Sequence, residues 1–299
     1  MKIRRDRAGV HIFDRTSALN ILFDEISVPV REWAQAPRHL AVALTNACDL
    51  HCPYCYAPKH RAVLDPEQVL MWLREADTAG CLGVGFGGGE PTTVGWFAEL
   101  CRRTAQETAL AVSFTTHGHR LTDDLLSDLA GSVHFVRVSV DGVGSVYESL
   151  RGRPFAALVD RLNAVGSIAP FGVNVVINDA TIKELSAVAE LASETGAVEI
   201  LLLPEQSTAT ASGMSWHVGE QLREWVARYS GTVRLGVSEQ GADGLSIAEP
   251  FGDQPSIERY AHIDASGVLR PTSFSSIGTE IGDESFLTSY RRLLGKERL

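Results

Sequence analysis

The sequence predicts an α/β protein: a partial (β/α)6 TIM-like barrel with a small C-terminal cap made of a hairpin and a helix. Two observations predict the barrel. From residue 38 onward, short apolar runs rich in β-branched residues alternate with amphipathic windows, and this alternation is typical of a parallel sheet. The apolar runs are nearly continuous, so both faces of the sheet are expected to be covered. Six repeats fall short of a complete (β/α)8 barrel, which predicts an open one.

The predicted elements follow one another in strand and helix order. We expect strands at 39–45, 82–87, 110–115, 133–140, 171–177 and 197–203. We expect helices at 65–79, 95–108, 122–130, 154–168, 181–195 and 216–229. Asp65 before Pro66 and Thr122 before Asp123 are typical helix starts.

Two flanking regions lie outside this alternation of strands and helices. Residues 1–37 form an N-terminal extension, in which the stretch 10–26 predicts a short strand pair packed against the edge of the barrel. The barrel is predicted to span 38–231. Residues 232–299 then form the cap, with a β-hairpin around Asp264–Gly267 and a closing helix near 284–295.

Composition narrows the class of protein. The chain has 299 residues, of which 44% are hydrophobic and 21% charged, as in ordinary globular proteins. A net charge of −10 disfavours nucleic-acid binding, because phosphate contacts need a basic surface. The sequence has neither the apolar run of a signal peptide nor a window apolar enough to span a membrane. We therefore expect a cytoplasmic protein whose five cysteines stay reduced.

Three of these cysteines crowd into the stretch "TNACDLHCPYCYAPKH", residues 45–60. Cys48, Cys52 and Cys55 directly follow the first barrel strand, and parallel α/β folds place their chemistry at that edge. Two metal sites fit three thiols. One is a structural zinc site completed by His51 or His60. The other is a [4Fe–4S] cluster with one iron left without a protein ligand.

The segment "CDLHCPYC" resembles the C-x3-C-x2-C motif of the radical S-adenosylmethionine (radical SAM) superfamily. The resemblance implies one [4Fe–4S] cluster on Cys48, Cys52 and Cys55, with SAM bound at the open iron. It further implies reductive cleavage of SAM to a 5′-deoxyadenosyl radical that abstracts a substrate hydrogen. The tyrosines on either side of the last cysteine, Tyr54 and Tyr56, are then expected to contact SAM.

A second stretch, "GFGGGEPT", resembles the GGE motif of the same superfamily. The resemblance implies that SAM's ammonium is bound by Gly88, Gly89, Glu90 and Pro91. The glycines allow close backbone approach, and the Glu90 bend offers carbonyl or carboxylate acceptors. The same stretch also satisfies the G-x-G-x-x-G dinucleotide fingerprint through Gly83, Gly85 and Gly88. That alternative is disfavoured, since the fingerprint should open a helix and here Pro91 ends it.

The stretch "VRVSVDGVGSVYESLRG" resembles the S-x-D-G strand end and downstream R-G of sulfatase-maturating and peptide-modifying members. The resemblance implies that Ser139 faces the ribose or carboxylate of SAM and that Arg151 binds its carboxylate; a solvated loop arginine is the alternative. "FTTHG" corresponds to T-T-N-G, which adds Thr116 to the SAM contacts. His117 replaces the usual asparagine, either as a proton donor or as a polar strand end. Pro204 is expected near the adenine.

The C-terminal segment resembles the SPASM and twitch extensions, which bind auxiliary iron–sulfur clusters through cysteines. A cysteine would be expected near Thr272 or Ser273, but none follows Cys101. The sequence thus predicts a degenerate cap and one cluster per chain. Cys81 and Cys101 are then expected to be small buried residues.

The resemblance favours a ribosomally made peptide as substrate, modified by cross-linking, epimerisation or similar C–H chemistry. A small metabolite such as a sugar or nucleoside is the alternative. Outside enzymes, the alternative is a structural zinc or electron-transfer protein. The expected electron donor is of the flavodoxin or ferredoxin type. Candidates for the residue that completes the reaction are His117, Glu205 and Tyr260.

Overall fold

The computed structural model describes residues 1–208, 211–238, 241, 243–248, 251, 254–282 and 284–297. The strands are β1 (Lys2–Asp6), β2 (Gly9–Asp14), β3 (Leu19–Phe23), β4 (His39–Thr45), β5 (Gly83–Gly88), β6 (Ala111–Thr116), β7 (Phe135–Ser139), β8 (Phe171–Ile177), β9 (Glu199–Pro204), β10 (Arg234–Val237), β11 (Tyr260–Ile263), β12 (Val268–Arg270) and β13 (Thr279–Glu280). The helices are α1 (Pro66–Thr78), α2 (Phe97–Glu107), α3 (Asp123–Leu129), α4 (Gly144–Arg151), α5 (Phe155–Val165), α6 (Leu185–Glu194), α7 (Trp216–Arg228), α8 (Ser256–Arg259) and α9 (Phe286–Glu297).

One large sheet carries the fold, with strand order β10-β9-β8-β7-β6-β5-β4-β11-β12-β13. Strands β4 to β10 lie side by side in chain order and pair in parallel. Right-handed crossovers in this order place every connecting helix on the same face, so the sheet curves into a barrel. The six predicted strands are confirmed as β4 to β9, each followed by its predicted helix.

The two faces of the barrel sheet differ in what covers them. Phe97 of α2 packs against Phe86 of β5 and Phe114 of β6, with ring centroids 6.4 and 5.1 Å apart. Side chains alternate along a strand, so the residues next to these phenylalanines in each strand, Gly87 on β5 and Thr115 on β6, point to the concave face. The helix-covered face therefore forms the apolar core, and the concave face is free for function.

Helix α1 begins where the sequence predicts it. The Asp65 carboxylate accepts hydrogen bonds from the backbone N–H groups of Glu67 (2.9 Å) and Gln68 (3.0 Å), and Pro66 occupies the first turn. Thr122 caps α3 in the same way through the N–H of Leu125. Both caps confirm the predicted helix starts.

Several features of the described structure were not predicted. Helix α4 occupies 144–151, where no helix was expected. Strand β10 extends the parallel sheet beyond β9. Strand β11 pairs in parallel with β4, so the first strand of the predicted hairpin is part of the barrel sheet itself. In the N-terminal extension the expected strand pair is present as β2 and β3, and β1 adds a third antiparallel strand.

The described part of the cap packs against the barrel at β4 and at α1. Its hairpin pairs β11 with β12, and α9 closes the chain as predicted. Ser285, just before α9, donates a hydrogen bond of 2.7 Å to Glu75 on α1. Phe274 reaches the cysteine loop, where its ring lies 4.9 Å from that of Tyr56. The cap thus covers the outer side of that loop.

Candidate active site at the carboxyl edge of the barrel

The cysteine loop runs from the end of β4 to the start of α1. Thr45 closes its base: its hydroxyl donates to the carbonyl of Ala62 (3.1 Å) and accepts from the N–H of Ala47 (3.0 Å). The three cysteines of the loop, Cys48, Cys52 and Cys55, are half-buried free thiols. The loop therefore lies at the carboxyl edge of the parallel strands, as the sequence predicts.

The spacing of the thiols indicates which metal centre they fit. Thiolates that share one zinc lie about 3.8 Å apart, because each Zn–S bond is about 2.3 Å. In the described part of the chain, the group with ligand atoms within 4.8 Å of one another comprises Cys48, Asp49 and His117, not the three cysteines. The three cysteines therefore do not form the compact ligand set of one zinc ion, and a [4Fe–4S] cluster is the other predicted site.

The two histidines considered as zinc ligands lie on the outside of the loop. His51 and His60 are both exposed. The Nε2 atom of His60 lies 3.3 Å from Asn46 Nδ2 and 3.4 Å from Ser266 Oγ. The structure therefore gives no support to a zinc site that uses either histidine.

Glu90 locks the end of β5 to the end of β6. Its carboxylate is buried and accepts hydrogen bonds from the Thr92 hydroxyl (2.7 Å), the Thr116 hydroxyl (2.8 Å) and the His117 N–H (2.9 Å). Its carbonyl accepts from Thr93. The Glu90 carboxylate is therefore engaged within the chain, where it joins the ends of the two strands.

Those two glycines lie directly against the start of the cysteine loop. A Cβ atom on Gly88 would lie 2.2 Å from the carbonyl oxygen of Thr45, and one on Gly89 would lie 2.2 Å from that of Ala47. Gly88 also has a φ of +122°, which disfavours other residues. The two glycines thus allow a close approach of the chain's own loop, whereas the predicted approach to SAM stays a prediction.

His117 joins the strand end to the cysteine loop. Its Nδ1 accepts the N–H of His119 (3.1 Å), so Nε2 carries the proton and donates to Asp49 Oδ1 (2.9 Å). Arg153 holds the other Asp49 oxygen at 3.0 Å. Because His117 is only 3% exposed and fully engaged, its contacts support a structural role for this strand-end residue.

Asp141 is the centre of a second buried network. This carboxylate is 0% exposed and accepts from the Tyr54 hydroxyl (2.6 Å), from the N–H of Val176 (2.7 Å) and from the guanidinium of Arg151. It ties the cysteine loop to β8 and α4. We assigned Asp141 no role from the sequence, although it is the Asp of the S-x-D-G motif.

Arg151 is buried between Asp141 and the cysteine loop, which excludes the solvated-loop alternative. Its side chain is 10% exposed, and its guanidinium lies 5.8 Å from the Tyr54 ring. Burial raises the pKa of the Cys52 thiol, and Arg151 opposes this rise by favouring the thiolate. Arg151 Nε is buried without a hydrogen-bond partner. An anionic ligand at this edge would satisfy that donor, so the residues fit the predicted site.

The remaining predicted SAM contacts differ in availability. Ser139 ends β7 on the concave face and is half-buried. The Thr116 hydroxyl is committed to Glu90 and to the N–H of Gly118. Pro204 is buried under Gly241, and its carbonyl accepts from Gln206. The Tyr56 ring lies against Phe274 of the cap at 4.9 Å. The hydroxyls of Thr116 and Tyr54 are thus both engaged within the chain, and Ser139 lies on the concave face.

Two further catalytic candidates are separated by the length of the barrel. Glu205 follows β9 at the carboxyl edge, where it accepts a hydrogen bond of 2.7 Å from Asn178. Tyr260 begins β11 and pairs with His39, the first residue of β4, so its backbone is at the opposite end. Six residues of strand, about 20 Å, separate His39 from Thr45 at the edge. This position argues against Tyr260 as the completing residue.

These features define a class of protein: an α/β barrel with a three-cysteine metal-binding loop at the carboxyl edge of its strands. The sequence profile of the Radical SAM superfamily matches residues 42–192, about half of the chain. The chain belongs to the radical SAM superfamily. Members of this superfamily hold a [4Fe–4S] cluster and SAM.

Curated relatives match different shares of the chain. The chain is 31% identical over 179 residues to the PqqA peptide cyclase of Streptomyces rochei, which covers 57% of this chain and 49% of that protein. The chain matches about half the length of the first curated relatives. With the GTP 3′,8-cyclase of Parasynechococcus marenigrum it shares 27% identity over 87% of this chain and 85% of that protein.

Solved structures show the same fold. SuiB of Streptococcus suis bound to S-adenosylmethionine superposes with a TM-score of 0.73 at 15% identity, covering 88% of this chain and 68% of that chain. SuiB bound to the precursor peptide SuiA gives a TM-score of 0.74 at 14% identity, over 88% and 67%. At these identities the likeness concerns the fold alone.

Among the described residues, every helix is too short or too polar to serve as a membrane span.

Proposed function

We propose that this chain is a radical SAM enzyme that abstracts a hydrogen atom from a ribosomally made peptide. The observation that carries the proposal is the three-cysteine loop at the carboxyl edge of a barrel that matches the superfamily. One [4Fe–4S] cluster per chain is proposed, held by Cys48, Cys52 and Cys55, because no cysteine follows Cys101. The bound cluster and SAM supply the electron transfer and the 5′-deoxyadenosyl radical.

The chain's own residues position these groups. Asp141 and His117 fix the cysteine loop from two sides, through Tyr54 and Asp49. The buried Nε donor of Arg151 is available for the carboxylate of SAM, and the backbone at Gly88 and Gly89 for its ammonium. Ser139 is proposed to face the ribose. Holding reactants in fixed geometry within a water-poor cavity is the protein's contribution to such chemistry.

The peptide substrate is supported by two comparisons: the PqqA peptide cyclase is a relative, and SuiB with its precursor peptide has the same fold. A small metabolite is the second candidate. It is favoured by the GTP 3′,8-cyclase, whose match covers most of both chains. The proposed partner is an electron donor of the flavodoxin or ferredoxin type. The proposed compartment is the cytoplasm, where thiols stay reduced.

The test is reductive cleavage of SAM. Anaerobically reconstituted protein, given SAM and dithionite, should release 5′-deoxyadenosine, quantified by liquid chromatography and mass spectrometry. Cys52→Ala should abolish release, whereas Cys101→Ala should retain it, since Cys101 is a buried residue of α2. Protein with four irons per chain that forms no 5′-deoxyadenosine would refute the proposal. Incubation with short peptides or with GTP then separates the two substrate classes.

A further inference from the structure

A charged cluster lies on the concave face of the barrel, apart from the residues assigned above. Arg137 of β7 forms an ion pair with Glu199 of β9, and its Nη1 atom is 3.4 Å from Asn174 Oδ1 on β8. The Glu199 side chain is 9% exposed and that of Arg137 is 26% exposed. Arg137 is thus held by buried partners while part of its side chain remains exposed.

The cluster carries an excess of positive charge. The second oxygen of Glu199 pairs with Arg234 at the start of β10. Burial would raise the pKa of Glu199, but Arg137 and Arg234 together hold it below its ordinary value, so this carboxylate is ionised. Burial lowers the pKa of nearby His39 to about 4, so this imidazole is neutral at pH 7. Two guanidinium groups therefore share one carboxylate.

The cluster lies directly beneath the proposed SAM edge. Arg137 is two residues before Ser139 on the same face of β7, which places it about 7 Å deeper in the barrel. Asn174 pairs in register with Ser139. A substrate hydrogen must approach the SAM edge from within the barrel, so this is where a substrate group would lie.

Strand β5 has no side chain at the level of Arg137. Thr115 pairs with Arg137, and Gly87 lies beyond it on β5. A Cβ atom on Gly87 would meet nothing within 4 Å, whereas one on Gly85 would lie 3.0 Å from His39 Nε2. His39 therefore fills the space beside Gly85, whereas the space beside Gly87 is open. The three glycines of β5 leave this side of the concave face free of side chains.

We propose that Arg137 binds an anionic group of the substrate, a carboxylate or a phosphate, within the concave face beneath the SAM edge. The inference rests on the proposed function only in naming the neighbouring site as the SAM site. The contact between Arg137 and an anion does not depend on it. A planar guanidinium oriented by Glu199 and Asn174 suits such groups. A peptide would supply the carboxylate, and a nucleotide the phosphate.

The proposal is tested by calorimetric titration. Two matched pairs of probes are titrated into the reconstituted protein with S-adenosylhomocysteine bound. One pair is N-acetyl-glutamate methylamide and its glutamine counterpart; the other is GMP and guanosine. We expect the charged member of one pair to bind at least about tenfold tighter than its neutral partner, and the pair that discriminates identifies the source of the anion. An absence of discrimination in both pairs would overturn the proposal.

Variants separate binding from folding. Arg137→Gln should remove the preference, and Arg137→Lys should keep part of it. Glu199→Gln should keep or strengthen the preference for the charged probe, because a carboxylate that competes for Arg137 is lost. If the ion pair served only to stabilise the fold, this variant would bind the charged probe more weakly. The charge-matched control is Arg102→Gln on exposed α2, which should bind like the parent. A preference that survives Arg137→Gln refutes the site.

The result is independent of SAM cleavage. If the charge preference is present and the protein never forms 5′-deoxyadenosine, the anion site stands and the proposed function fails. If 5′-deoxyadenosine forms and neither pair discriminates, the proposed function stands and the anion site fails. Raising NaCl from 50 to 500 mM should weaken the preference in the parent, as expected of an ionic contact, without a need for any variant.

Discussion

Single buried residues, rather than the cysteines alone, determine the shape of the site. Asp141 has one carboxylate for three donors that come from the cysteine loop, from α4 and from β8. A buried charge that loses its partner is strongly destabilising, whereas an exposed pair contributes little. This contrast makes Asp141 the residue at which stability and site geometry are most closely coupled.

Asp141→Asn should lower the free energy of unfolding by about 3 kcal/mol, because it leaves the buried guanidinium of Arg151 without its counter-charge. Tyr54→Phe should cost about 2 kcal/mol, the contribution of one hydrogen bond to a charged group. Urea unfolding measures both. The control is Asp123→Asn, whose pair with Arg161 is solvent-exposed and should cost under about 1 kcal/mol. Equal costs for Asp141→Asn and Asp123→Asn would contradict the assignment.

His117 is predicted to matter for metal retention through Asp49. Its replacement by Phe removes the Nε2 donor, so the loop beside Cys48 loses one anchor. Changes in groups that orient metal ligands typically weaken metal binding by about 10-fold or more. We expect that loss of iron retention against a chelator in His117→Phe. His117→Asn, which restores an N–H donor, should retain more iron.

The matched control is His217→Phe on α7, where the histidine is exposed and contacts Gln221 of the same helix. Iron and sulfide content after reconstitution, followed by chelator challenge, is the measurement. If His117→Phe retains iron as well as His217→Phe does, the anchor contributes nothing to the metal site.

At the scale of elements, the end of β5 shows how close contact between two backbone segments restricts a position to glycine. Gly89→Ala should destabilise the protein by about 3 kcal/mol or more, because its Cβ would meet the Ala47 carbonyl and must displace backbone. Gly87→Ala, two residues earlier on the same strand, has open space and should change stability by under about 1 kcal/mol. Urea unfolding of both variants measures the difference. A tolerated Gly89→Ala would show that the loop yields without cost.

The elements that sequence analysis predicted and those it missed differ for a physical reason. Strands β4 and β8 were predicted with correct bounds because each is a long apolar run bordered by polar residues. Helix α4 has one buried residue, Tyr147, and starts at Gly144, so it has neither an apolar stripe nor a side-chain N-cap. Strand β11 is four residues long, and its place beside β4 depends on a contact over two hundred residues away in sequence.

The same distinction holds for the site. The three cysteines and the two glycines after them were predictable, because motif spacing places them. Asp141, Asp49 and Arg153 were missed, although the first two lie inside quoted motifs. Their roles come from contacts between segments 68 to 104 residues apart, which spacing does not reveal.

At the scale of the whole molecule, a buried polar network fixes the N-terminal sheet to the barrel. Asp6 accepts from Arg4 and from Arg38, each at 2.7 Å, and Gln254 donates to it at 3.2 Å. Burial would raise the pKa of Asp6, but the two arginines lower it overall. The N-terminal strands are thereby an integral part of the fold, which the basic composition of the first residues did not indicate.

Buried histidines distributed over the barrel give the molecule a pH-dependent stability. Burial lowers the pKa of His39, His119 and His262 to about 4, from an ordinary value of about 6.5. In the unfolded chain these groups take up protons below pH 6.5, while the folded protein keeps them neutral down to about pH 4. The unfolded state then binds more protons, so stability falls as the pH is lowered through this window.

His262 provides the test, since it is 7% exposed and its Nδ1 atom has no hydrogen-bond partner in the described structure. One such group contributes up to about 1.4 kcal/mol of unfolding free energy per pH unit between its two pKa values. Urea unfolding at pH 6.5, 5.5 and 4.5 should show the parent losing stability, and His262→Phe losing it less steeply by about that amount. His39 and His119 would still make the unfolding free energy of the variant fall with decreasing pH. An identical slope in both proteins would mean that His262 is already protonated in the folded state, or that the sheet opens around β11 before the rest of the barrel unfolds.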